Sequence, residues 1–578
     1  MSLTLQESTD LIQQELARYL QRRFHASEEA VTLALEVHQK YLEGHTALQV
    51  PVQPELSLVS QDGTTPLLWE DGLLALTRCY REERRLAERF AARAQYQERS
   101  ASEVLQAVRL LGISLHQWDP LQIAGAFLPF FYRLGLITGG PGTGKTTVLA
   151  ILLALQLANY LEKGERLPRI ALAAPTGKAA FRMGQSLANS EVLKNLPVEL
   201  QAPLRGLIPQ TLHRLLGIHS SVSAPRYNAE EQLLVDLVVL DESSMVSAQL
   251  MDQLLAAMPE KATLILLGDE HQLPSVEPGN VLGNLVQCFP VNAFSPRQVE
   301  LISQVEHISQ GVSTSPAVTP SPVIRLEKSF RFQEDKAIGL LAKAIRGGDL
   351  TAIEKLYNSS KDDSSRNSEV TFNPLDSEVA LVRFCEAYQP FLTASTPEKA
   401  LDALQEFMIL TMTNEGPWGQ RTWNDLLCKH LSQNGQLNHW PVMITANDAG
   451  LNLFNGDLGV AFRTDRLRVY FPRVENGQTE HRVRSFLEAQ LPEHTTAFAM
   501  TVHKSQGSEF TNIALVLPEQ ESENTLLTRE LLYTGLTRAK TQANLWLTQE
   551  SLFQAVQTQE QRVTGLVPKL RQRLEVVC

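Results

Sequence analysis

The sequence has 578 residues, too many for one hydrophobic core, so several domains are expected. With 52 Lys plus Arg against 64 Asp plus Glu the net charge is −12, which excludes a chain coated in basic surface but not a local basic groove. Cys79, Cys288, Cys385, Cys428 and Cys578 lack C-x-x-C spacing, so neither a disulfide framework nor a zinc site is expected, and a cytoplasmic setting fits. No apolar run approaches the ~20 residues of a membrane span, and the polar start lacks a signal pattern.

Residues 1–105 read as a helical domain. Leu11, Ile12, Leu16 and Leu20 recur at helical spacing, and residues 75–94 are dense in Arg, Glu, Leu and Ala. This is either a small domain with a solvated charged face or a module that docks a partner protein.

Residues 106–300 read as a nucleotide-binding α/β domain. Residues 134–137 form an apolar strand, and Gly139, Gly140, Pro141, Gly142, Thr143, Gly144, Lys145, Thr146 and Thr147 follow in the phosphate-loop pattern G-x-x-x-x-G-K-[ST]. Glycines let backbone N–H groups wrap phosphate oxygens, and the next helix points its positive end at the anion. Lys145 can reach the outer phosphates, and Thr146 can offer a hydroxyl to Mg²⁺. Upstream, the Gln122 amide carries the donor and acceptor that suit an adenine edge. A second strand, 169–174, delivers Thr176, Gly177 and Lys178, a set suited to a phosphodiester backbone. His213 and Arg214 follow on one turn. The apolar run 233–240 ends in Asp241 and Glu242, placed to hold Mg²⁺ through water and to accept a proton from attacking water. The strand at 263–267 leads to Gln272, which can sense a γ phosphate. In open α/β sheets such strand tips form the ligand rim.

Residues 301–322, rich in Ser, Thr, Val and Pro, read as a linker, and 358–367 as a flexible insert. A second α/β domain without its own phosphate loop is expected over 323–429 and 496–578, with Arg331 exposed near its start. Between its halves, short β-rich runs over 430–495 suggest a small antiparallel barrel.

In order, the phrases GGPGTGKTT, APTGKAA, TLHRLLG, LDESSMV, LGDEHQLPSVEPG, TVHKSQGSEF and LYTGLTRAK resemble the superfamily 1B DNA helicases, and within them the RecD family, alpha subunits of RecBCD-type exodeoxyribonuclease V complexes. The resemblance covers about residues 115–550. It implies two RecA-like P-loop domains with ATP and Mg²⁺ between them, an SH3-like insert, and single-stranded DNA across the top. It also implies 5′→3′ translocation at duplex ends beside RecB-like and RecC-like subunits. By motif, Gln122 would contact adenine and Glu509 the ribose. Arg331 and Arg538 would act as arginine fingers from the second domain, and Thr176, His213, Thr501, His503 and Lys504 would line the DNA track. The stretch between Leu216 and Leu233 leaves room for only a small strand-separating pin. No clustered Asp, Glu and Lys motif suits a nuclease, so such activity is expected only in a partner. A stand-alone RecD-like helicase is the competing expectation; such chains carry longer N-terminal extensions.

Overall fold

The computed structural model describes residues 5–577 apart from 99, 116, 219–223, 307–319, 332–335, 363–368, 449, 464–465, 473–482 and 520–526. The expected linker at 301–322 falls largely outside these residues, although helix Pro296–Glu306 covers its start. The Ser/Asp-rich insert is similarly divided: helix Leu350–Asp362 runs into it, and most of the rest lies outside.

The N-terminal region is not all-helical. Helices Leu5–Phe24 and Glu28–Leu42 precede β1 (Leu48–Gln49), β2 (Val59–Ser60), β3 (Leu67–Glu70) and β4 (Leu73–Leu76), which form a sheet in the order β1-β4-β3-β2. The overlooked signal is Asp71-Gly72, both at positive φ (49° and 80°), the two-residue turn that closes the β3–β4 hairpin. Helix Thr77–Arg93 then carries the chain onto the next domain, where Arg85 and Arg89 grip Asp252 at 2.5 and 2.6 Å.

The first large sheet contains β5 (Leu134–Gly139), β6 (Ile170–Ala174), β7 (Gln210–Thr211), β8 (Leu237–Leu240), β9 (Thr263–Gly268) and β10 (Val323–Leu326), in the order β10-β5-β9-β8-β6-β7, all parallel. Its central strands are buried on both faces, which is why they read as unbroken apolar runs. Strand β10 corrects the expected boundary at 323. It pairs Val323–Leu326 with the phosphate-loop strand, from Leu136 to Gly139, so the first domain closes only after the linker.

The second domain holds β11 (Val370–Asn373) and β12 (Phe407–Thr411). Next come the inserted strands β13 (His439–Ile444), β14 (Leu458–Arg463), β15 (Leu467–Pro472), β16 (Val483–Phe486) and β17 (His494–Thr496). The domain resumes with β18 (Ala499–Thr501), β19 (Phe510–Val516) and β20 (Ala539–Trp546). Its sheet is parallel, in the order β11-β20-β19-β12-β18. The insert is antiparallel, in the order β16-β15-β14-β13-β17, around Val442, Ile444, Val469 and Phe471. It begins at His439 rather than 430, because helix Gln420–Gln433 buries Trp423, Leu427 and Leu431 in the second-domain core. The C-terminus also departs from expectation. Helix Leu566–Val577 returns to the first domain and buries Leu566 and Leu570 with Leu86, Phe90 and Leu134.

Candidate active site

The phosphate loop runs from the end of β5 to helix Lys145–Glu162. Gly142 (φ 76°) and Gly144 (φ 89°) occupy the left-handed region, and a Cβ at either would collide with the Arg331 and Gln122 side chains respectively. Lys145 Nζ donates to the carbonyl oxygens of Gly139 (2.6 Å) and Gly140 (3.1 Å), and Thr143 Oγ1 donates to Gly140 O at 2.8 Å. An ammonium held by backbone carbonyls at the positive end of an 18-residue helix fits the phosphates of a nucleotide. Thr146 and Thr147, half-buried, form the first turn of that helix.

Gln122 lies under this loop rather than on an open face. It is buried; its Nε2 donates to Thr143 O at 3.0 Å, and its Oε1 accepts from Asp119 N at 3.2 Å in a capping box. In this position its amide buttresses the phosphate loop from below, between Asp119 and Thr143.

The buried strand β8 delivers Asp241 and Glu242 to the same rim. Asp241 Oδ1 accepts from Glu242 N at 2.8 Å. Glu242 has φ 50°, a left-handed conformation that costs a non-glycine residue energy and directs its side chain away from the strand line. Burial, then the charge of Glu242, pushes the Asp241 carboxyl above the ordinary carboxylate range. A divalent cation beside it would reverse that shift, so the donor set fits Mg²⁺.

Beyond β9, Gln272 Nε2 donates to Asp269 Oδ2 at 3.2 Å, while its Oε1 accepts from Arg538 Nη2 at 2.7 Å. Arg538 is 4% exposed and anchored by its Nε to Thr534 O (3.1 Å) and its Nη1 to Ser508 O (3.2 Å). Nearby, Leu273 N donates to Thr534 Oγ1 at 3.0 Å. These bonds join the two domains at the site.

Arg331 reaches the site by a different route from the one expected. It lies on the connection that leaves β10, where Phe330 N donates to Gly142 O (2.8 Å) and Ser329 Oγ to Pro141 O (3.2 Å). The connection is thus laid against the phosphate loop itself. Arg331 Nη1 pairs with Glu509 at 2.7 Å. Burial alone would raise the Glu509 carboxyl, but Arg331 and Arg182 outweigh it and hold it below the ordinary value. Arg182 was not singled out in the sequence. It faces Glu509, Arg538, Glu242 and Arg331 from helix Gly177–Ala188, one turn beyond Lys178. That i, i+4 basic pair was the available signal.

Thr176 and His213 lie just past the ends of adjacent strands, since Ala174 of β6 pairs with Thr211 of β7. Thr176 caps its helix, with Ala179 N donating to Oγ1 at 3.2 Å, and His213 is exposed. On the second domain Thr501 ends β18 and is buried, accepting from Lys504 N at 3.3 Å; His503 is exposed and Lys504 half-buried. Gly507 abuts Ala179, and Lys178 bonds to Ser508 Oγ, so the 505–508 turn rests on the helix that Thr176 begins.

The AAA domain family matches residues 130–278, and the UvrD-like helicase C-terminal domain family matches 496–546. RecBCD enzyme subunit RecD of Mycolicibacterium smegmatis is 34% identical over 519 residues, covering 88% of this chain and 84% of that protein. The chain belongs to the RecD family of RecBCD enzyme subunits. RecD of Haemophilus influenzae is 32% identical over 492 residues, covering 78% of this chain and 71% of the relative. The ATP-dependent RecD2 DNA helicase of Deinococcus radiodurans is 28% identical over 473 residues, which is 80% of this chain but 53% of RecD2. Strand β10 and the inserted strands β13 to β16 fall between the two family matches, so the Arg331 connection lies outside both. Among the described residues no helix is long and apolar enough to cross a membrane.

Proposed function

We propose that this chain is an ATP-dependent DNA helicase, the 5′→3′ motor subunit of a RecBCD-type helicase–nuclease that acts in the cytoplasm in double-strand break repair and recombination. The observation that carries this reading is the Gln272–Arg538 bond, which links a phosphate-loop domain to a second domain without such a loop. A site divided between two bodies is complete only when they close, so a cycle of opening and closing can move a bound strand. The larger coverage of RecD (84%) than of RecD2 (53%) supports a subunit over a stand-alone helicase.

In this reading ATP lies on residues 139–147, with Glu509 near the ribose. Thr146 and Asp241 would hold Mg²⁺, which would supply positive charge to the phosphate oxygens when bound. Glu242 accepts the proton of the attacking water, and Gln272 orients that water beside the γ phosphate. Arg331 and Arg538 stabilise the charge that develops on the transferred group. Single-stranded DNA at duplex ends runs over Thr176, His213, Thr501, His503 and Lys504. The inserted sheet is SH3-like. The N-terminal module docks the RecC-like partner, and nuclease chemistry belongs to a partner subunit.

Two measurements test this. ATP hydrolysis is expected to rise with single-stranded DNA and to be abolished by Lys145→Gln. Duplexes with 5′ tails are expected to be unwound; unwinding confined to 3′ tails would overturn the assigned polarity.

A further inference from the structure

Asp269 and Tyr533 are buried in the cleft, and the chemistry above does not use them. Asp269 directly follows β9 and is 1% exposed. Its Oδ1 accepts from His271 N at 3.0 Å and folds the turn. Its Oδ2 receives two donors: Gln272 Nε2 at 3.2 Å from the same turn, and the Tyr533 hydroxyl at 3.1 Å from the other domain. Tyr533 is 4% exposed and its ring meets His271 edge-on, with centroids 6.3 Å apart. Burial, then the Asp269 charge, holds the phenol well above its usual range, so it is a neutral donor. The same hydroxyl flanks the phosphate loop, since a Cβ on Gly140 would lie 2.9 Å from it.

The Gln272 side chain ends in a soft, nearly two-fold torsion, so its neighbours decide which way the amide faces. Its nitrogen is held by Asp269 and its oxygen by Arg538. Asp269 is in turn oriented by Tyr533, which is bonded to it only while the second domain lies against the first. We propose that Tyr533 and Asp269 are a positioning pair that sets the orientation of Gln272, so that domain closure, and not nucleotide binding alone, readies Gln272 for hydrolysis. This rests on the reading of Gln272 as the residue that orients water at the γ phosphate. Tyr533 touches no reacting atom in this scheme and acts through Asp269.

The test is steady-state ATP hydrolysis by the full-length chain at saturating single-stranded DNA, for the wild type, Tyr533→Phe, Asp269→Asn and the double variant. Tyr533→Phe is expected to lower kcat about five- to tenfold, the worth of one ordinary hydrogen bond, while KM for ATP stays within about twofold. Asp269→Asn is expected to do the same, and the double variant to fall little below the weaker single variant, because both act through one amide. The proposal is overturned if Tyr533→Phe keeps the wild-type kcat, if the two losses multiply in the double variant, or if KM rises while kcat holds. It is also overturned if the loss of kcat matches a loss of folded protein on thermal melting, which is what simple interface packing would produce. A wild-type chain without DNA-stimulated hydrolysis would instead fail the helicase reading, and the positioning role would fall with it.

Discussion

The two parallel sheets face the cleft with opposite ends. The first presents the C-terminal tips of its strands: Gly139 ends β5, Asp241 follows β8 and Asp269 follows β9. The second presents strand beginnings: Glu509 precedes Phe510 of β19, and Arg538 precedes Ala539 of β20. The helices follow suit. At the first sheet, helix Lys145–Glu162 begins at the loop and offers its positive end, which suits phosphate. At the second, helix Arg529–Leu536 ends there, and the Thr534 carbonyl in its last turn receives Arg538 Nε at 3.1 Å. A helix N-terminus prepares a seat for an anion, and a helix C-terminus holds a cation over it. The contrast explains why one phosphate loop is enough for two domains of similar architecture.

Breaking the cation side is expected to have the largest effect. If Arg538 supplies charge from the second sheet, Arg538→Ala should lower the DNA-stimulated kcat by roughly 10³-fold or more, and Arg538→Lys should restore little, since a point charge cannot reproduce a guanidinium bonded to Gln272, Thr534 and Ser508 together. Rapid-quench measurement of a single turnover would check this; a loss below tenfold would make Arg538 a structural strut. On the anion side, Glu242→Gln should cost about 10²–10⁴-fold in the same assay with ATP affinity retained. Loss of affinity equal to loss of rate would assign Glu242 to binding instead of proton acceptance.

The same contrast marks how far the sequence could be read. Buried parallel strands followed by polar tips made the phosphate loop, Asp241, Glu242 and Gln272 visible from residue order alone, because the first sheet presents C-terminal ends. In the second sheet the cleft residues Glu509 and Arg538 precede β19 and β20, a position for which no pattern of apolar run and polar tip exists. Arg538 and Glu509 were therefore reached only through a family resemblance. Misplaced boundaries have a related cause. Val323–Leu326 is as apolar as any neighbouring strand, and nothing local reveals that its partner is Leu136–Gly139, nearly two hundred residues earlier. Leu566 and Leu570 likewise fit any core of either domain until the fold brings them to Phe90. Gln122 was found by position, but its commitment to Asp119 and Thr143 depends on how tightly the loop folds over it.

The smallest expected effect lies at the seam where helix Gly177–Ala188 meets both the second domain and the insert. Lys178 Nζ donates to Gly456 O at 3.3 Å and to Ser508 Oγ, so it is solvated by neutral oxygens. Burial, with Arg182 and Arg538 adding repulsion and Asp457 opposing it, pushes its pKa down to about 7 from 10.5. Because the folded value lies below the unfolded one, the unfolded chain binds the extra proton between those two values. Stability therefore rises with pH across that window, and the stabilisation is lost as pH falls through about 7. Lys178→Met removes the buried charge and keeps most of the stem. It should raise the melting midpoint by about 2–4 °C at pH 6, with the gain shrinking towards pH 9 as the wild-type lysine sheds its proton. Scanning fluorimetry across that range measures both. A gain independent of pH would show that the seam carries no buried cation, and that Lys178 serves there through packing alone.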